Sequence, residues 1–221
     1  MGFVNIMRAK RECSIINPQH RASKKDCMMK KVIYAAISLL IMTQSVIADD
    51  KFEAEELLKN KLDAVFILLQ KKDLDPGVKE NEIVETLTPM FDFELMAKLT
   101  LGRKYWPGLP LEKKDQFTDL FIKRLRTTYL DKLALYTDEK VTFDPPVQDK
   151  EKVHISTFLI SKNRKTSILY KFYKSADGWK VYDLEIEGIS IIRSYRSQFS
   201  QILENGTIDD LLLKMEKPDT N

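Results

Sequence analysis

Of the two histidines and two cysteines in this 221-residue chain, only His154 lies beyond position 48. Cys13, Cys27 and His20 all precede it, so the body of the protein has no thiol for a disulfide, a nucleophile or a thiolate metal site. His154 stands between Val153 and Ile155 in a stretch of strand-like composition. A lone strand histidine is read as structural, because base catalysis needs a substrate or second group within hydrogen-bond reach. Asp183, Glu185 and Glu187 are the grouped carboxylates; spaced by two on a strand, they point to one side. Calcium ligands usually come from loops, so the row is read as a charged face rather than a metal site. One member has a better use. Asp183 and Arg196 flank Gly188, where a chain reversal would bring them together as a partly buried ion pair holding the following helix on the sheet. The chain lacks a G-x-S-x-G elbow, a glycine-rich phosphate loop and an H-E-x-x-H pair. Catalytic residues, metal ligands and cofactors are therefore all expected to be none.

The charge is unevenly spread. Residues 1–48 carry a net charge of +6, so a chain of net +3 leaves −3 for the remainder. A weakly acidic body excludes nucleic acid as a partner, since that needs a concentrated basic face. The basic excess belongs to a leader. Met29-Lys30-Lys31 opens it, Val32 to Ile47 is apolar, and Val46-Ile47-Ala48 supplies small residues for cleavage after Ala48. Residues 29–48 are expected to be a signal peptide, residues 1–28 an over-extended start or a disordered segment, and 49–221 one domain, large enough for its own core.

Elements follow from periodicity. Leu58, Leu62, Val65, Phe66 and Leu69 recur at helical spacing over Lys51–Lys72, up to the Asp75-Pro76-Gly77 turn. Short helices are expected over Glu80–Leu87 and Phe91–Leu101, the latter closed by Gly102. Leu111–Tyr136 is the longest helical signal, with an apolar residue every four positions from Phe117 to Leu133. Strands are expected over Val141–Phe143, Val153–Ile160, Thr166–Tyr173 and Trp179–Ile186, joined by turns short enough to require antiparallel neighbours. Helices return over Ser190–Leu203 and Thr207–Met215. The fold class is α+β, with N- and C-terminal helices on one face of a twisted antiparallel sheet.

An exported chain without catalytic groups but rich in aromatics suggests a hollow core for an apolar ligand. Its walls are expected to be Phe117, Phe121, Leu125 and Tyr129 of the long helix against Ile168, Tyr170 and Phe172 of the strands. Phe91, Met96 and Trp179 are expected to complete the lining.

The block Gly178-Trp-Lys-Val-Tyr-Asp-Leu-Glu-Ile-Glu-Gly-Ile-Ser190, followed by Ser194-Tyr-Arg-Ser-Gln-Phe199, resembles the signature of the MlaC-type phospholipid shuttles, the toluene-tolerance family. Phe91-Asp92-Phe93, Met96-Ala97, Leu101-Gly102 and Trp106 resemble the family's central helix and loop, although Tyr105–Pro110 carries more proline than its pattern. The resemblance implies a periplasmic, monomeric, cone-like carrier that holds phospholipid tails in a cavity between sheet and helices. It also implies two partners: an inner-membrane ABC transporter with a lipid-binding ring, and an outer-membrane lipoprotein–porin complex. No basic cluster is dedicated to a phosphate, so weak head-group selectivity is expected. Two other readings compete: an enzyme on the same fold using His154 with Asp183, and a periplasmic chaperone for acylated or unfolded outer-membrane proteins.

Overall fold

The computed structural model describes residues 45–130, 140–161 and 164–217. Residues 1–44, with the expected extended start and most of the signal segment, lie outside them, as does the 131–136 end of the longest helical signal. Contacts divide the chain into Met1–Ile47 and Ala48–Asn221, and the whole sheet lies in the second unit.

Four helices precede the sheet: α1 (Ser45–Gln70), α2 (Pro76–Leu87), α3 (Phe93–Tyr105) and α4 (Leu111–Leu125). Asp75-Pro76-Gly77 starts a helix as well as ending a turn. Asp75 accepts from Gly77 N at 2.9 Å and Val78 N at 3.2 Å, and Pro76 occupies a first-turn position where no N–H is needed. Asp92 caps α3 through Leu95 N at 2.9 Å. Gly102 breaks that helix with φ +69°. The proline-rich loop after α3 forms a 3₁₀ turn, Trp106–Gly108, and tucks the Trp106 ring edge-on against Phe117, centroids 6.4 Å apart.

The expected long helix is not α-helical throughout. After Leu125 it becomes a π-helical turn, Arg126–Leu130. One extra residue per turn changes the direction in which the following side chains leave the axis.

The sheet contains β1 (Lys140–Phe143), β2 (Val147–Asp149), β3 (Lys152–Ser161), β4 (Arg164–Ser175), β5 (Gly178–Ile186) and β6 (Ile189–Ser190). Its order is β1-β3-β4-β5-β6, antiparallel throughout, with β2 pairing the same strand as β1. Pro145-Pro146 divides β1 from β2, because proline cannot donate to a ladder. Two helices follow, α5 (Ile191–Asn205) and α6 (Ile208–Glu216), completing the α+β fold. Gly206 joins them in extended backbone, where a Cβ would stand 3.1 Å from the Ile202 carbonyl.

Strand alternation sends Val153, Ile155, Phe172, Trp179 and Val181 into a core shared with Leu58 of α1 and Ile83 of α2. A second core joins α3 to α6. Phe117 and Phe121 stack at 6.2 Å, and Phe199 and Tyr195 meet them edge-on at 5.5 and 5.4 Å. Phe91 bridges to Val181, and Asp92 N donates to the Val181 carbonyl at 3.0 Å, covering part of the β5 edge. The Tyr173 hydroxyl donates to Asp92, pinning the α3 cap to β4. Burial, then the Asp92 carboxylate, pushes that phenol up to about 12.

The expected Asp183–Arg196 pair does not form. A β-bulge pairs Lys171 with Asp183 but Phe172 with Val181, turning Asp183 away from the core and toward Lys171. Asp183 accepts from Lys171 Nζ at 3.2 Å, Ser190 Oγ at 2.8 Å and Ile192 N at 3.2 Å. It does hold α5 to the sheet, but through the helix N-terminus, where backbone N–H groups and the helix dipole favour an anion. Arg196 lies one turn further along and faces α3. Its guanidinium donates to the Leu99 carbonyl, from Nε at 2.8 Å, satisfying a helix end opened by the break at Gly102. Arg196 is exposed, so Arg196→Met is expected to cost only about 1 kcal/mol. That corresponds to a fall of roughly 2–4 °C in Tm, checked by thermal unfolding. A loss several times larger would mean that the guanidinium does more than cap α3.

Candidate functional site

An apolar cavity of about 250 Å³ opens between the sheet and the N-terminal helices. Leu62, Val65, Phe66 and Leu69 of α1 form one wall, with Leu87 of α2, Met90 and Phe91 beside them. Val141, Leu159, Ile168, Tyr170, Leu184 and Ile186 of the strands face them. Thr128 and Tyr129 of the π turn, with Thr157 and Thr166 of the sheet, supply hydroxyls. None of the described lining residues is acidic or basic.

The polar groups at the buried end are neutral and internally bonded. Thr157 Oγ1 donates to the Ile168 carbonyl at 3.4 Å. Burial pushes the Tyr170 phenol up to about 12, against a smaller downward pull from its hydrogen bond with Thr157. Burial also raises Tyr129, with Tyr195 nearby adding to it. Such walls can hold hydrocarbon by size and shape, and they place no charge against it.

The structure divides the expected lining residues. Phe91, Tyr129, Ile168 and Tyr170 do line the cavity. Met96, Phe117, Phe121 and Leu125 belong instead to the solid core among α3–α6, and Phe117 and Phe121 are fully buried. Phe172 and Trp179 pack in the core between α1, α2 and the sheet rather than on the cavity. The π turn explains part of this. The aromatic row of α4 faces α5 up to Leu125, and only where the helix widens do Thr128 and Tyr129 reach the cavity. The wall that sequence reasoning missed is α1. Its signal, the helical spacing of Leu62, Val65, Phe66 and Leu69, is plain, but nothing in it shows which apolar face meets empty space.

The register also decides against the candidate acid–base pair. His154 lies opposite Lys171, and Lys171 opposite Asp183, so a lysine separates them on the face away from the cavity. Burial lowers the His154 pKa, followed by the charge of Lys171. Asp183 already takes three hydrogen bonds.

A family model described as MlaC protein matches residues 59–217, a span that contains every cavity-lining residue. The chain belongs to the MlaC family. Among its MlaC relatives is the intermembrane phospholipid transport system binding protein MlaC of Haemophilus influenzae, 23% identical over 197 residues, covering 84% of this chain and 90% of that protein. The toluene tolerance protein ttg2D of Pseudomonas putida is 23% identical over 137 residues, covering 61% of this chain and 64% of that protein. Among solved structures, a phospholipid-binding protein from Ralstonia solanacearum in complex with a phospholipid superposes with a TM-score of 0.67 and 25% identity. The superposition covers 74% of this chain and 95% of that one. In the MlaC-family chain, no helix among the described residues is long and apolar enough to cross a membrane.

Proposed function

We propose that this MlaC-family chain is a periplasmic phospholipid carrier that holds acyl tails in the cavity between α1 and the sheet. It exchanges lipid with an outer-membrane lipoprotein–porin complex and with an inner-membrane ABC transporter bearing a lipid-binding ring. The observation that carries the reading is the uncharged apolar cavity, on the fold of a neighbour that holds a phospholipid. The leader, cleaved after Ala48, takes the protein to the periplasm, where it works as a monomer.

Energetics favour this arrangement for a carrier. Burying methylenes yields ~0.8 kcal/mol each, so two tails of about thirty methylenes gain roughly 24 kcal/mol over water. Over a bilayer the gain is near zero, because the tails are equally dry there. A carrier needs that balance to load as well as unload. It requires no cofactor and no chemical step, and the His154–Asp183 acid–base candidate lies outside the cavity.

The test is mass spectrometry of an organic extract from the purified mature protein. Stoichiometric phospholipid is the expected result. Co-purifying polypeptide in its place would favour the chaperone reading, and protein free of both would overturn lipid carriage.

A further inference from the structure

The lining of the proposed carrier's cavity varies in chemistry and exposure. Leu69, Leu87 and Met90 are buried, whereas the hydroxyl-bearing Thr128, Tyr129 and Thr166 are half-exposed, as are the apolar Phe66 and Ile168. These hydroxyls therefore form part of the cavity's mouth. Those hydroxyls differ from most of the described threonines. On the helices, Thr86, Thr88, Thr118 and Thr127 each donate to the carbonyl four residues back, and Thr100 to the one three back. This is the ordinary resting place of a helical threonine. Thr157, deep in the cavity, donates to a strand carbonyl. The side-chain hydroxyls of Thr128, Tyr129 and Thr166 make no hydrogen bond with any described residue, and all three line the cavity. Thr128 and Tyr129 sit on the π turn, a distortion that often marks a functional site.

Resting on the phospholipid reading, we infer that Thr128, Tyr129 and Thr166 form a hydroxyl collar that recognises the ester level of an acyl-glycerol lipid. An acyl chain entering methyl-first toward Leu87 and Met90 brings its ester carbonyl to the mouth, beside these donors. The collar donates to carbonyl and glycerol oxygens, groups shared by all diacyl phospholipids. The phosphate and whatever it carries lie beyond it. Three neutral donors cannot sort lipids by head-group charge, but they can sort them by linkage. An ether-linked lipid has the same tails and head group and lacks the carbonyl acceptor.

The mature protein would be exchanged against vesicles holding equal amounts of diester and diether phosphatidylcholine with matched chains. The lipid it extracts would then be counted by mass spectrometry. Two neutral hydrogen bonds predict an enrichment of about tenfold in the diester form. Thr128→Val with Thr166→Val keeps the side-chain shape and removes two donors. The doubly substituted protein, which keeps only the Tyr129 donor, is expected to lose most of that enrichment. Equal uptake by the wild type, or undiminished enrichment in the substituted protein, would overturn the collar. Wild-type protein that takes neither lipid would overturn the phospholipid reading itself, and the two failures are therefore distinct.

Discussion

Ile168→Glu is expected to empty the carrier of phospholipid while leaving it folded. Ile168 is half-buried on β4 and borders the cavity. A carboxylate there stands against the acyl chain at a cost of several kcal/mol, yet it reaches solvent when the cavity is vacant. Because transfer from a bilayer is nearly balanced, each ~1.4 kcal/mol lost on the bound side lowers occupancy about tenfold. Phosphorus per folded protein should fall by roughly a hundredfold or more, with circular dichroism unchanged. Phe121→Asp is the instructive contrast. Phe121 is fully buried between Phe117 and Tyr195, so a charge there unfolds the helical core and reports on stability rather than binding. A folded Ile168→Glu protein with a full complement of phospholipid would show that the tails do not pass β4.

Asp183→Ala should produce the larger stability loss, about 3–5 kcal/mol, as expected when one partner of a buried ionic network is removed. The carboxylate is 6% exposed and bonds Lys171, Ser190 and the N-terminus of α5. Removing it strips Ser190 and Ile192 of an acceptor and leaves Glu185 as the remaining partner of Lys171. Thermal unfolding should show a fall of roughly 6–20 °C in Tm. A melt indistinguishable from wild type would mean that water replaces the carboxylate without penalty. The network also has a pH signature. Burial lowers the Lys171 pKa, but hydrogen bonds to Glu185 and Asp183 outweigh it and raise the pKa above its ordinary 10.5. A raised lysine stabilises the fold fully below the unfolded value and loses that contribution as pH climbs through the folded one. Wild-type stability should therefore decline in alkali above about pH 10.5, and Asp183→Ala should flatten that decline.

Much of the architecture was legible in sequence because it depends on local chemistry. The period of α1, the turn at Asp75-Pro76-Gly77 and the β-branched strands of the meander each state their own conformation, whereas α2 starts at Pro76, four residues before the expected Glu80, and α3 runs on past Gly102 to Tyr105. The Trp179-to-Phe199 block identified the family, and residues 59–217 match its model. The two shortest strands escaped: β2 has three residues and β6 two, too few to show alternation. Polar pairing escaped for a different reason. Strict alternation along β5 puts Asp183 on the same face as Trp179 and Val181, and only the bulge at Tyr182, opposite Lys171 and Phe172, reverses it. No local pattern specifies a bulge whose position depends on how β4 and β5 register.

The cavity marks the boundary most clearly. Sequence alone determined that the chain has more apolar and aromatic residues than charged chemistry, and that they lie on helices and strands able to face one another. It could not say where those faces meet tightly and where they stand apart. Phe117 and Phe121 look like wall residues by type and spacing, but α5 brings Tyr195 and Phe199 against them and closes the space. Leu62 and Phe66 look like ordinary core residues, yet between α1 and the sheet the packing leaves a gap. An apolar side chain gains from leaving water whether a protein neighbour or a lipid tail later touches it, so residue type carries no information about which one does. That distinction belongs to the distances between elements, and only the assembled tertiary structure sets them.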